Sequence, residues 1–482
     1  MSTPSRRSRR LATAATIAAA PSLATPPPSR LLDLPTDLLV RVVSRFYSPI
    51  DIARVAAVSL LFHASLAEEG IRLWAQERGF ELLAQPEGEG CAVRWVCFAA
   101  LLRQANPPAR VAAGWEHSVF IDGEGQLWSC GEALLCSQFG GGAGRDIYEQ
   151  PTPLISTLDG TGAVSAAAAI AFHLALTAAG SVWSWGDGQE GRLGHGDETE
   201  RGQPEKIEAL AGQRVVAVSA GDVHCLALSA DGAVWSWGYG EQGRLGHGDQ
   251  QNQLLPKKVE ALAGQRAVAV SAGAEHSIAL TADGAVWSWG GGEGGQVGHG
   301  DRQRQLLPKK VEALAGQRVV AVSAGDFHSL ALTADGAVFT WGCDPSTYDL
   351  DNTEEGDAID TDLVSPEQIR VLAGRGVVAV SAGGNHSLAI TADTSVIIWE
   401  QRALGVGEEW EADDVPFCGD AAVVAVSAGT AHSLAVTADG AVWSWGRGGD
   451  ALGHGGDDYS DRWCPEKIEA WPSRPPSLPA VL

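Results

Sequence analysis

The sequence predicts a mainly-β chain, a seven-bladed β-propeller of four-stranded blades preceded by a small α-helical domain. Three observations carry this. A phrase of the form AVSAGxxHSLALTADGAVWSWG recurs seven times, marked by His117, His173, His224, His276, His328, His386 and His432. The steps between these histidines are 56, 51, 52, 52, 58 and 46 residues, a period that belongs to propellers and arrays rather than to layered enzyme domains. The repeats fill residues 109–472, whereas residues 31–80 in front of them carry helical periodicity.

One unit shows why each element forms. RVVAVSAG (214–221) is valine-rich and short, a buried strand. HCLALS then alternates, with His224, Leu226 and Leu228 on one face and Cys225 and Ala227 on the other. Asp231-Gly232 makes a two-residue hairpin turn. AVWSWG returns as the third strand with Trp235 and Trp237 on one face, and PKKVEAL (256–262) is expected to be the fourth. Asp-Gly recurs at Asp283-Gly284, Asp335-Gly336 and Asp439-Gly440, while Glu124-Gly125, Ala179-Gly180 and Asp393-Thr394 stand in for it in the other units. Small residues dominate the first two strands, as crowding near a ring axis requires. Ten of the 17 tryptophans sit at the two third-strand positions, and Trp399 makes an eleventh. They are expected to fill the wider wedge between blades, at roughly 150–250 Å² buried each.

The formal charge of −25 is unevenly spread. Residues 1–30 hold five arginines and no acid, and residues 31–108 hold seven bases and nine acids, which leaves −28 for the rest. So acidic a ring repels phosphate backbones, and no nucleic-acid partner is expected. No apolar run reaches the length of a membrane span, so no membrane partner is expected either. The eight cysteines contain no CxxC and read as the reduced thiols of an intracellular chain, and the helical domain after the tail argues for the cytoplasm or nucleus. The basic tail 1–30 reads as disordered or as a transit peptide that would permit organelle import. Residues 81–108 read as a helical linker ending at Asn106-Pro107-Pro108, and 473–482 as a proline-rich tail.

Several signals imitate chemistry. GxGxxG occurs at Gly186, Gly238 and Gly290, but each copy runs into RLGHGD or QVGHGD rather than into a helix that could hold a pyrophosphate. Eleven of the twelve histidines lie in the repeats: the seven above, and His195, His247, His299 and His454 in GHG loops. A residue repeated around a ring reads as structural, for instance bonding a neighbouring backbone carbonyl. The insertion 343–364 holds eight acids and no base, but its glycine placement does not suit a helix–loop–helix calcium loop, and it reads as a solvated or partner-contacting loop. No catalytic residue, cofactor or metal is expected.

The string SAGxxHSLALTADGAVWSWGxGExGRLGHGD resembles the regulator-of-chromosome-condensation family over about three quarters of the chain. That resemblance implies the seven-bladed ring. It leaves activity open, because the family includes a nucleotide exchange factor for a nuclear GTPase, a plant ultraviolet-B photoreceptor and large ubiquitin ligases. In front of the ring, Leu34-Pro35-x-x-Leu38-Leu39, then Val42-Val43-Ser44-Arg45-Phe46, Asp51-Ile52, Val55, Val58-Ser59 and Phe62 resemble an F-box, departing from it at Leu60. The resemblance implies docking on a Skp-type adaptor and a cullin ligase through Leu34, Pro35, Leu38, Leu39, Val42 and Val43. Together the two resemblances imply a substrate-recruiting adaptor that performs no chemistry, with the ring holding a target protein. The alternatives are a guanine-nucleotide exchange factor, an ultraviolet sensor or a propeller scaffold. The sensor would want tryptophan before each repeat histidine, and only Gly114-Trp115-Glu116-His117 has it.

Overall fold

The computed structural model describes residues 110–469 apart from 133–146, 155–157, 159, 161, 344–362, 401–410, 418–421 and 456–459. The tail, the F-box-like segment, the linker and most of the acidic insertion therefore lie outside the described residues. What is described forms seven four-stranded antiparallel sheets, each built from four consecutive strands. The blades span residues 111–153, 163–206, 215–258, 267–310, 319–368, 377–414 and 423–467.

Blade 3 shows the construction. Val215–Ala220 is innermost, followed by His224–Ser229, Val234–Gly238 and, outermost, Gln253–Lys258. The fourth strand corrects the expectation of 256–262. It starts three residues earlier, pairing Gly238 with Gln253, and ends at Lys258. Pro256 sits inside it, which an edge strand tolerates because one row of its amides has no partner to lose. Glu260–Leu262 is a 3-10 turn that tucks Leu262 into the core. The GxGxxG loops of blades 2 and 3 hold single 3-10 turns, Gln189–Gly191 and Glu241–Gly243.

Apolar cores lie between blades. Between blades 2 and 3, Phe172, Leu174, Leu193 and Ile207 meet Val215, Cys225, Ala227 and Trp237. The second tryptophan of each WSWG pair is buried (Trp185, Trp237, Trp289 and Trp445, with Trp341 and Trp399 alike), while the first is half-buried. Blade 1 carries Cys130 at the buried position. Blade 7 pairs Arg462–Lys467 with its own third strand. The ring is thus closed by side chains packing blade 7 on blade 1, with no strand exchanged between them: Leu434, Val442 and Ile468 meet Val111, Phe120 and Cys130.

Candidate functional site: the axial channel and its mouth

The repeat histidines join blades. His224 Nε2 meets Ser277 Oγ of the next blade at 2.8 Å, and His276 meets Ser329 at 2.8 Å. His328 meets Ser387 and His386 meets Ser433, both at 2.7 Å, and His432 closes the ring on Ser118 at 2.9 Å. The serine hydroxyl passes its own proton back to a carbonyl of the preceding blade: Ser277 to Arg244 at 2.8 Å, Ser329 to Gln296 at 2.8 Å and Ser118 to Ala451 at 2.7 Å. A hydroxyl that donates its proton there must accept from the histidine, so the imidazole carries a hydrogen on Nε2. The same carbonyls take a second donor from the next blade's third strand: Trp289 Nε1 to Arg244 and Trp341 Nε1 to Gln296, each at 2.8 Å, and Cys130 Sγ to Ala451 at 3.4 Å. Burial holds these imidazoles far below the ordinary histidine range, to about 3 for His276 and His432 and about 4 for His328 and His386. The expected carbonyl partner is therefore corrected to a serine hydroxyl that relays to one.

A second staple lies along the axis. The serine of each AVSAG strand accepts the amide N–H of an alanine on the next inner strand: Ser219 from Ala272 at 3.0 Å, Ser271 from Ala324 at 2.9 Å, Ser323 from Ala382 at 2.9 Å, Ser381 from Ala428 at 3.0 Å and Ser427 from Ala113 at 3.0 Å. Glycine follows, because the blades nearly touch: a Cβ on Gly221 would stand 2.1 Å from the Gly273 carbonyl, and one on Gly383 2.2 Å from that of Gly429.

Blade 2 breaks all three rules. Phe172, not His173, pairs with Gly186 as His224 pairs with Gly238, so His173 stands one residue past the repeat position and in the serine's place. His117 of blade 1 therefore meets an imidazole edge-on, ring centroids 4.5 Å apart, and its Nε2 has no hydrogen-bond partner. Opposite Phe172 stands Cys225, whose thiol reaches only the Arg192 carbonyl, at 3.3 Å. The inner serine is Ala112 in blade 1 and Ala167 in blade 2, and the axial glycine of blade 2 is Ala169. The loop histidines have a separate task within their own blade. His195, His247, His299 and His454 bond the third-strand serines Ser184, Ser236, Ser288 and Ser444 at 2.9–3.0 Å.

With nearly all of these side chains committed, the concave surface that stands out among the described residues is the axial channel. Its barrel, lined by the inner strands, encloses about 290 Å³, and a smaller recess of about 80 Å³ forms its mouth where those strands turn into the second ones. The mouth is ringed by the residues that follow the axial glycines, among them Trp115, Ile170, Asp222, Asp326, Gly384 and Thr430. Trp115 is 43% exposed. Burial raises the Asp222 carboxyl to about 6, against the pull of Arg244, and raises that of Asp326 to about 7, with Asp222 adding to the rise. Arg244 itself is buried, donates to the Ala274 carbonyl at 2.9 Å and lies 4.0 Å from Glu275. This rim escapes a motif search because it is built from the variable positions of the repeat. Leu34, Pro35, Leu38, Leu39, Val42 and Val43 lie outside the described residues.

The model of the RCC1-like domain matches residues 185–478. Over 309 residues the chain is 36% identical to the ultraviolet-B receptor UVR8 of Arabidopsis thaliana, covering 62% of this chain and 67% of the receptor. Over 281 residues it is 37% identical to the E3 ubiquitin-protein ligase HERC2 of Homo sapiens, covering 58% of this chain but only 6% of the ligase. Among solved structures, yeast RCC1 (Prp20) in complex with Kap60 superposes with a TM-score of 0.55 at 24% identity, covering 67% of this chain and 78% of that one. At that identity the superposition speaks for the fold alone. With its seven sheets closed around one axis, the chain belongs to the RCC1-like family.

Proposed function

We propose that the protein is a non-catalytic substrate receptor of a cullin-type ubiquitin ligase. Its F-box-like residues 31–80 dock a Skp-type adaptor, and its ring presents the channel mouth to a target protein. The observation that carries the platform half is that the ring's repeat imidazoles, His117 and His173 apart, are committed with serine hydroxyls to bonds between and within blades. Such a ring offers a shaped face rather than a poised nucleophile or base. The tether half rests on the order of Leu34, Pro35, Leu38, Leu39, Val42 and Val43. Ligase chemistry does not come with the HERC2 match, which covers 6% of that enzyme.

Affinity purification of the full chain from cells, with mass spectrometry, tests this. Adaptor and cullin are expected with the wild type and lost when Leu34→Ala and Pro35→Ala are combined, since anchor residues at such interfaces are commonly worth about 2 kcal/mol or more. Circular dichroism of the variant against the wild type checks that the substitutions do not unfold the chain. Absence of the adaptor from a folded wild type sinks the ligase reading. Recovery of a small GTPase, released by added nucleotide, replaces it with the exchange-factor reading that the same ring would serve.

A further inference from the structure

The mouth is two-sided. Blades 1 and 2 give it Trp115 and Ile170, an apolar wall with the indole 43% exposed. Blades 3 and 5 give it Asp222 and Asp326 at the equivalent positions. The carboxylates are poorly served. Asp326 has neither a hydrogen-bond donor nor a cation against its side chain among the described residues, and the charged group that acts on it is Asp222, which repels it. Asp222 feels Arg244 and Arg192 on one side and Glu275 on the other. Blade 6 has no side chain at this position and the Asp326 carboxylate takes its place, for a Cβ on Gly384 would lie 2.6 Å from Asp326 Oδ2. Two like charges that repel each other across one partly desolvated recess cost folding energy. An exposed indole and two carboxylates lining one recess match one kind of group, a cation on an apolar stem.

We propose that the channel mouth takes one lysine or arginine side chain of a partner protein, its methylene stem against Trp115 and Ile170 and its charged head between Asp222 and Asp326. This rests on the reading of the ring as a protein-docking platform and names the chemistry of what docks. The recess of about 80 Å³ admits a single head group. A target would therefore be anchored by one projecting basic residue and read by the surrounding loops. Binding should also repay the folding cost, because a seated cation lets both carboxylates ionise without repelling each other unopposed.

The test uses the full chain and small probes, so it does not depend on any adaptor. N-acetyl-arginine methylamide, its lysine counterpart and the uncharged citrulline counterpart are compared by ligand-observed saturation-transfer NMR. The two cations should show saturation of their side-chain methylenes, and citrulline should show none. Combining Asp222→Asn with Asp326→Asn should abolish the signal, and Trp115→Ala should weaken affinity roughly three- to tenfold. Affinity should rise as the pH passes from below about 6 to above about 7, where these carboxylates ionise. The asparagine pair removes repelling groups and should melt no lower than wild type at neutral pH. Equal binding of citrulline, binding that survives the asparagine pair, or no binding of either cation at tens of millimolar overturns the proposal. If the adaptor fails to co-purify while the cations bind, the ligase reading falls and the anchor stands. The converse result separates them the other way.

Discussion

Blade 4 and blade 2 occupy the same ring and are held in it differently. Blade 4 meets both neighbours through histidine–serine pairs, serine-to-amide bonds on the inner strands and glycine at the axis. Blade 2 meets its neighbours through Phe172 against Cys225 and His117 against His173, with Ala112 and Ala167 where the inner serines belong and Ala169 at the axis. The changes come in matched sets, and the reason is energetic. A histidine whose serine is lost leaves a buried N–H unpaired, at about 1–3 kcal/mol. Replacing both partners with apolar or weakly polar groups avoids that penalty, as Phe172 with Cys225 does. His117 shows the incomplete case, with its Nε2 orphaned. Blade 2 keeps some directional bonds, among them Trp237 Nε1 to the Arg192 carbonyl at 3.0 Å and the Gly196 amide to the Leu254 carbonyl at 2.9 Å, but it lacks the histidine–serine and serine–amide staples, so its two interfaces are the ones expected to open first.

The bluntest break is Trp289→Ala, which empties a buried wedge and strips the Arg244 carbonyl of a donor. It should cost about 3–5 kcal/mol by urea unfolding. Gly273→Ala comes next, since its Cβ would lie 2.3 Å from the Gly325 carbonyl. It should cost about 1–3 kcal/mol or more, whereas Ala169→Gly, at the equivalent place in blade 2, should stay within about 1 kcal/mol. Ser277→Ala should cost about 1–3 kcal/mol. Its mirror is a double-mutant cycle: Phe172→His should destabilise alone and recover about 1 kcal/mol when Cys225→Ser supplies its partner. A cycle with no coupling would show that the bond between blades contributes nothing beyond packing.

The gentlest probe is pH. Burial depresses the histidines in the folded ring, to about 4 for His328 and His386 and about 3 for His276 and His432, against an unfolded value of 6.5. Between those limits the unfolded chain binds more protons. Their contribution is therefore complete above 6.5 and is lost as the pH falls toward 4 and then 3. Asp222 and Asp326 are shifted up instead, so their contribution is complete below the ordinary carboxylate range and is lost as the pH rises through about 6 and 7. The Asp222→Asn, Asp326→Asn pair should therefore raise the melting temperature at neutral pH and steepen its fall into acid. Hydrogen exchange should show amides of 163–206 opening before those of 267–310. Uniform protection across the blades would contradict the comparison between blades 2 and 4.

Self-similarity made the fold legible. Seven copies of one phrase, with Asp-Gly turns and paired tryptophans, specify ring size, strand count and packing face before any coordinate is known. Register in blade 2 was hidden by the identity of one residue, because a histidine stands near the expected place. Spacing would have exposed the slip: His173 is six residues from Ala179, while His224 is seven from Asp231. Pro256 reads as a strand start, and only pairing reveals that it lies mid-strand on an edge. The mouth was the least legible part. The repeated residues are scaffold, so the site has to be sought where the copies differ, as GDVH, GAEH and GDFH do after the axial glycine.

Every sheet here is made of four consecutive strands, blade 7 included. A tandem duplication of one repeat therefore inserts a finished sheet together with one half of each flanking interface, and no existing strand loses its partner. The near-identity of the segments spanning blades 3 to 5 is what such copying leaves behind. The same modularity means that new chain ends could be cut between any two blades, with the old ends joined by a linker, without unpairing a strand. For this architecture the unit of inheritance and the unit of hydrogen bonding coincide. A mouth residue such as Asp222 can then diverge in one copy while the frame around it is inherited intact.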